Sequence, residues 1–394
     1  MNSDAYEINL YQHENGNYIA KVPELRGCKV EDKSYDGALE KIQWAVKESL
    51  QKKLNAGLSI PEPKKKFQGE SITFSEAKTF LTFLIDNFRP KSVTDVIIPG
   101  SSRFIFRGQS NGNRSLLPNA HRFEKGLKGA ADTSLLVPYG PQVPPYQPGV
   151  ISGEDNEEYL GRFIFSEITA VSIFLENSDK LGIPTGLDYS KKNIHNSFIN
   201  DLFNKRLNHE DLKISFPDPV LHPGFALAQH HGVPTRLLDW SESALVAAYF
   251  AAYGNVPELH GTKRNVKVPK DKKMAVFALN TDDLNDSEEV KIIKAPRYNN
   301  EFLKAQHGIF TLLPKANEFF MNNIRWPNLD EIITSSSNTN VRQSLTRLSL
   351  PASEAKELLR LLYSFNISRH HLMPTLDNVA QSCPYLMALW PCTR

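Results

Sequence analysis

Hydrophobic and polar positions follow two different periods along this chain. Near the N-terminus the period is two. Ile8 and Leu10 alternate with Glu7 and Asn9, and Tyr18, Ala20 and Val22 alternate with Ile19 and Lys21, which predicts a pair of strands. Asn15-Gly16 lies between them and favours the positive φ angles of a hairpin turn. The period then becomes helical. Tyr35, Leu39, Ile42, Val46 and Leu50 recur every three or four residues, Ser34 stands where a cap is needed, and Asn55 to Gly57 end the run. Strand, strand, short strand and helix would lay one helix face on a small antiparallel sheet.

Beyond this unit, Pro61 to Gly69 has two prolines and three consecutive lysines without periodicity, and reads as a linker. From Ser71, "SITFSEAKTFLTFLIDNF" predicts a capped helix with Phe74, Ala77, Phe80, Leu81 and Leu84 on one face, and a second long helix is expected over roughly Asn156 to Leu175. Val137 to Gly149 holds five prolines, which forbid regular structure. "RFIFR" predicts a short strand with Phe104 and Phe106 on one side, Arg103, Ile105 and Arg107 on the other, and Gly108 as its end. "AQHH" and "TRLLDW" read as extended, which would turn His230 and His231 to opposite faces. "ESALVAAYFAAY" follows as an apolar helix capped by Asp239 or Ser241, "GIFTLLP" has strand character, and "PASEAKELLRLLYSF" is a helix with Ser353 as its cap.

Composition narrows the classes. A length of 394 residues suggests more than one domain. The 46 Lys and Arg against 44 Asp and Glu leave a net charge of +2, so no overall pull toward nucleic acid is expected. Cys28, Cys383 and Cys392 have no metal-ligand spacing, and no metal site is expected. Neither a leader segment nor an apolar run of membrane length is visible, and the expected location is the cytoplasm.

Three segments place polar groups at the mouths of apolar elements: Arg107 to Gln109, His230 to Ser241, and Glu301 to His307. An arginine on an apolar strand needs an anion or a carboxylate. Arg107 therefore either pairs with an aspartate such as Asp239 or clamps a phosphate. The helix start after Asp239 is itself suited to an anion.

Two resemblances follow. "GNYIAKVPELRGCKVEDKSYDGALEKIQWAVKESL" resembles the HicB-like antitoxin domain, a trimmed ribonuclease-H-like fold without catalytic carboxylates. It implies binding, to a toxin partner or to the chain itself. "FRGQ" at Phe106 to Gln109, "LLP" at Leu116 to Pro118 with Arg122 after it, "AQHHGVPTRLLDWSESALVAAYFA", "AQHGIFT" and "FNISRHHLMPTLDNVA" resemble, in order, the FRG-domain family. The family's usual arginine before "AQ-x-G" is missing from "NNEFLKAQ". Together these give an α+β chain with a HicB-like domain at 1–62, a linker at 63–70 and a larger mixed α/β FRG domain at 71–394. Family members resemble toxins or effectors of mobile-element and phage-defence loci.

The motif order is also similar to that of ADP-ribosyltransferase folds, with NAD as the implied substrate. That resemblance gives catalytic roles to Arg107, His230, Glu301 and Gln306. It gives NAD or nucleotide binding to Arg107, Gln109, His231, Arg236, Asp239, Trp240 and Ser241. Arg107 would hold the pyrophosphate, Trp240 would stack on nicotinamide, and Gln306 or Glu301 would steady positive charge as nicotinamide leaves. The expected partner is a toxin, phage or host protein docking on the HicB-like domain, with a homo-oligomer also open. A non-enzymatic sensor or binding module explains the same residue types, and a nuclease ranks third.

Overall fold

The structure is a computed structural model that describes residues 9–12, 17–22, 25, 27–55, 70–88, 103–124, 133–134, 153–185, 216–260, 269, 271–284, 287–295, 297 and 300–390. Of the linker read at 63–70, residues 63–69 lie outside them and Glu70 instead begins a strand, and the proline-rich stretch at 137–149 also lies outside them. The chain forms two compact units, 1–68 and 69–394.

In the first unit β1 (Asn9–Gln12), β2 (Tyr18–Lys21) and β3 (Lys29–Asp32) form an antiparallel sheet in the order β1-β2-β3. Asp32 Oδ1 accepts from the Ser34 amide (2.9 Å), and Ser34 Oγ accepts from the Gly37 amide (3.1 Å). Those bonds start helix α1 (Tyr35–Asn55) where the sequence places its cap. Its apolar stripe of Ala38, Ile42, Val46 and Leu50 is buried with Ala20, Val22, Leu25 and Cys28.

The second unit is mixed α/β, built on a seven-stranded sheet ordered β10-β11-β8-β5-β9-β12-β4. Its strands are β4 (Glu70–Thr73), β5 (Phe104–Gln109), β8 (Leu238–Ser241), β9 (Lys273–Asn280), β10 (Lys291–Ile293), β11 (Gly308–Leu312) and β12 (Leu345–Pro351). A separate two-stranded sheet joins β6 (Phe123–Glu124) and β7 (Thr133–Ser134). Neighbours in the large sheet are antiparallel except β12 and β4.

That parallel pair corrects the helix expected from Ser71. Ser71 to Thr73 pair with Arg347 to Ser349, and helix α2 (Ala77–Phe88) begins only after Phe74 and the residues that follow it. A strand whose partner lies far away in sequence leaves little local signal. The helix is started by a distant carboxylate, Glu354 Oε2, which accepts from the Ala77 amide at 3.0 Å. The cap expected of Ser353 is absent: Ala352–Glu354 is a 3₁₀ turn without a side-chain cap, leading into the helix Ala355–Tyr363.

Helix α3 (Gly153–Lys180) is longer than the expected 156–175 segment. Helix α4 (His222–His230) corrects the extended reading of "AQHH". Gly232 takes φ +89° just past that helix and the Val233 amide donates to Ala228 O (3.0 Å), so His-His-Gly-Val-Pro is a helix stop. Helix α5 (Ala244–Tyr253) follows β8, as expected. Its cap is Ser243, whose hydroxyl accepts from Val246, rather than Asp239 or Ser241.

Helices α2 and α5, the helix Ala355–Tyr363, and Tyr385 and Leu389 from the last helix bury one face of the sheet around Phe106, Met274, Val276, Ala278, Leu348 and Leu350. Ala275, Phe277 and Leu279 are buried too, so β9 is enclosed on both faces. Gly108 does not end β5, which runs on to Gln109. A Cβ at Gly108 would lie 1.8 Å from Ala247 O, so its missing side chain lets α5 touch the strand.

One buried ion pair joins three of these pieces. The Arg236 amide and Nε donate to Glu167 Oε1 (2.7 Å) and Oε2 (2.8 Å). Arg236 Nη2 lies 2.8 Å from Oε2, and Nη1 donates to Asn317 Oδ1 at 2.8 Å. The guanidinium also covers the Phe216 ring, 4.2 Å from its centroid. α3, the segment before β8 and the helix Ala316–Asn323 are thereby tied together. Removing one member leaves the other charge buried alone. Glu167→Ala is therefore expected to lower unfolding stability by about 3–5 kcal/mol, measured by urea unfolding. A loss near zero would show that the pair is replaced by water.

Candidate functional site

β5 and β8 are paired only at Phe106 and Ser241 among the described residues, while β5 stays paired with β9 from Phe104 to Gln109. Where β8 parts from β5, Arg107 fills the opening. Its Nη1 donates to the backbone oxygen of Asp239 at 2.6 Å and lies 3.7 Å from Asp239 Oδ2. The pairing of Arg107 with Asp239 read from the sequence is therefore present. The arginine has its aspartate, yet its Nε is buried without a hydrogen-bond partner among the described residues.

Asp239 is held from the other side by Gln229, whose Nε2 donates to Oδ2 at 2.9 Å. Gln229 Oε1 accepts from the Thr235 amide (3.0 Å) and hydroxyl (2.9 Å), so the glutamine is fixed at both ends. The Asp239 side chain remains 44% exposed. Burial nevertheless raises its pKa, against the opposing pull of Arg107. A group that meets solvent and is still surrounded by protein sits at the floor of a recess.

Two further guanidiniums lie near enough to act on this pair, Arg114 on Arg107 and Arg122 on Asp239. Burial, then repulsion from Arg107 and Arg114, pushes the pKa of Arg122 down to about 9. Arg122 Nε donates to Leu117 O at 2.8 Å, and its Nη2 is buried without a hydrogen-bond partner among the described residues. Gln109 is buried, and its amide donates to Arg114 O at 3.3 Å. It supports the loop rather than facing a ligand.

Two residues along β8, the Ser241 hydroxyl donates to Gln306 O (2.7 Å) and accepts from the Ser243 amide (3.0 Å). The Gln306 side-chain amide donates to Leu372 O at 3.1 Å. Next to it, Arg297 reaches Glu242 Oε2 at 2.6 Å, and His307 has its pKa lowered, by burial first. The strand β5, the strand β8 and the late turn at Gln306 therefore meet along β8, in the interior of the sheet. Their polar groups run as Arg107–Asp239 and then Ser241–Gln306.

Several predicted binding residues stand elsewhere. Trp240 follows Asp239 on a strand and so points to the opposite face. It is buried, with Nε1 donating to Thr311 Oγ1 at 3.0 Å. Arg236 belongs to the buried pair with Glu167. Glu301 is exposed at the start of the short helix Glu301–Ala305. His231 stacks near Phe174 (5.7 Å between centroids), with Asn300 Nδ2 3.4 Å from its Nε2. His230 is mostly buried beside it, and burial followed by the neighbouring His231 lowers its pKa to about 4.

The matched part of the sequence now has a structural meaning. Residues 175–258 match the FRG domain model. The FRG domain so delimited holds Gln229, Asp239, Ser241 and α5. The Arg107 strand and the Glu301–His307 turn complete the recess from outside the matched residues. None of the curated proteins and none of the solved structures compared with the chain matches it.

Sequence reasoning missed Gln229, Glu167 and Arg114. The first was within sight, because a glutamine one turn before a glycine helix stop faces the strand that follows. Glu167 carried no signal beyond being a carboxylate on an otherwise apolar helix stripe.

His230 yields a pH test. Its folded pKa of about 4 lies below its ordinary value near 6.5. The folded state therefore binds fewer protons in that window, and its stability is full above about pH 6.5 and falls as the pH drops toward 4. His230→Gln is expected to flatten that fall in urea midpoints taken from pH 7 to pH 4.5 (a range set by the shift). A curve parallel to that of the parent protein would remove His230 as its source.

Proposed function

We propose that the recess beside Arg107 binds NAD and breaks its bond to nicotinamide, in the manner of an ADP-ribosyltransferase or an NAD-consuming enzyme. The observation that carries this reading is the placement of Arg107, Asp239 and the Ser241–Gln306 contact along one strand, β8, where it parts from β5. In the reaction, the bond between ribose C1′ and the pyridinium nitrogen breaks and its electrons leave with nicotinamide. Water or an acceptor group then adds to C1′ and loses a proton. Arg107 holds an anionic part of the substrate through the N–H left unpartnered at Nε. Asp239 supplies the negative charge that steadies the ribose as it becomes positive. Its raised pKa makes it the better proton acceptor for the attacking group. Gln306 shapes the site through its backbone oxygen, since its side chain is bound to Leu372 O.

The cellular role that fits is that of a toxin or anti-phage effector. The N-terminal unit, with its three antiparallel strands followed by one helix, would act as a HicB-like binding element that restrains the rest. A binding module without chemistry is the second reading. The two-ended fixation of Gln229 and Ser241 favours it, because such networks also serve purely to order a core.

Incubation of the full chain with NAD, with and without cell lysate as a source of acceptors, should release nicotinamide. Asp239→Asn should slow that release on the order of a hundredfold or more. No release under either condition sends the assignment to the second reading. Expression of the chain with and without residues 1–62 should show stronger growth inhibition from the shorter form. Equal growth removes the restraint.

A further inference from the structure

The segment between β5 and β6 is fixed at many points for so short a stretch. The Gly112 amide donates to Lys273 O (2.8 Å) and Asn255 Nδ2 to Ser110 O (2.9 Å), which tie the turn to the strand β9 and the end of α5. Gln109 holds Arg114 O (3.3 Å), the Leu116 amide donates to Asp330 Oδ1 (3.0 Å), and the Ala120 amide donates to Thr235 O (3.2 Å). Arg114 and Arg122 stand on this frame, near enough to Arg107 for mutual repulsion to act. Arg122 is held as well, because its Nε is anchored on Leu117 O (2.8 Å) while Nη2 is left over.

Like charges gather there. Asp239 is the carboxylate that acts on both Arg107 and Arg122, and it already accepts from Gln229. Among the described residues three guanidiniums, Arg107, Arg114 and Arg122, bear on one another in this partly buried place. Arginine cannot discard its proton near neutral pH, so the repulsion that acts on Arg122 persists until an anion arrives. Two buried N–H groups without partners among the described residues, Arg107 Nε and Arg122 Nη2, give that anion its first hydrogen bonds.

We infer that Arg107, Arg114 and Arg122 form a binding site for the diphosphate group of a nucleotide-type ligand. This deepens the NAD reading, naming the part of the substrate held and the residues that hold it, and the diphosphate assignment stands on the arginine geometry alone. A diphosphate diester carries two negative charges and spans more than one guanidinium. Arg122 and Arg114 become positioning groups for the substrate, with Arg122 anchored through its Nε and Arg114 exposed on the solvent side.

Titration calorimetry of the full chain with inorganic pyrophosphate, and separately with sulfate, tests the site. Pyrophosphate is expected to bind saturably and more tightly than sulfate. Arg122→Gln and Arg114→Gln should each weaken it on the order of tenfold, the size of one charge-assisted hydrogen bond. Because Arg114 is exposed, its variant should melt with the parent protein and remain informative if Arg122→Gln fails to fold. Absence of saturable pyrophosphate binding, or unchanged affinity in Arg114→Gln together with a folded Arg122→Gln, overturns the inference. Pyrophosphate binding with no NAD cleavage upholds the diphosphate site and removes the NAD reading. NAD cleavage untouched by pyrophosphate and by Arg122→Gln does the reverse.

Discussion

The second unit depends on a charge pair that never meets water. Glu167 and Arg236 are both fully enclosed, and each charge is tolerable only because the other is beside it. The glutamate accepts the backbone amide of Arg236 as well as its side chain, so it fixes the path of the chain as it enters β8. Asp239 lies three residues further on. The position of the exposed carboxylate in the recess is thus set by an ion pair on the buried side. A hydrophobic replacement could match the volume, but it could not hold a main-chain N–H in a chosen direction.

The recess reverses that arrangement. Arg236 is matched by a carboxylate and an amide oxygen, whereas Arg107 and Arg122 share one aspartate that Gln229 also engages. Each of the three keeps a buried N–H without a hydrogen-bond partner among the described residues, Nη2 in Arg236 and Arg122 and Nε in Arg107. What separates Arg236 from Arg107 is solvent, since Glu167 is fully enclosed and Asp239 is half open.

Much of this was legible in the sequence. The alternation in the first unit, the stripe of α1, the apolar helix after β8 and the meeting of Arg107 with Asp239 all follow from period and charge. The misreadings share one cause, which is reliance on the near neighbourhood. Ser71 to Thr73 become a strand because Arg347 to Ser349 accept them as a partner. Trp240 looked available because it sits between two polar residues, yet strand alternation sends it to the other face, where Thr311 takes its N–H. The histidine pair looked extended because the glycine that stops its helix was not weighed. Arg122 was visible as a motif residue, but its unsatisfied nitrogen is a property of the folded neighbourhood alone.

Gly108 has a mechanical consequence. At most contacts between a helix and a sheet, side chains lie between the two backbones and absorb small displacements by changing rotamer. At Gly108 the strand meets the Ala247 carbonyl of α5 with nothing between them. Close-packed backbone has almost no compliance. A shift of α5 along or toward the sheet must therefore pass undamped into β5, and the next residue along that strand is Arg107. The arginine is geared to the buried helix behind its strand.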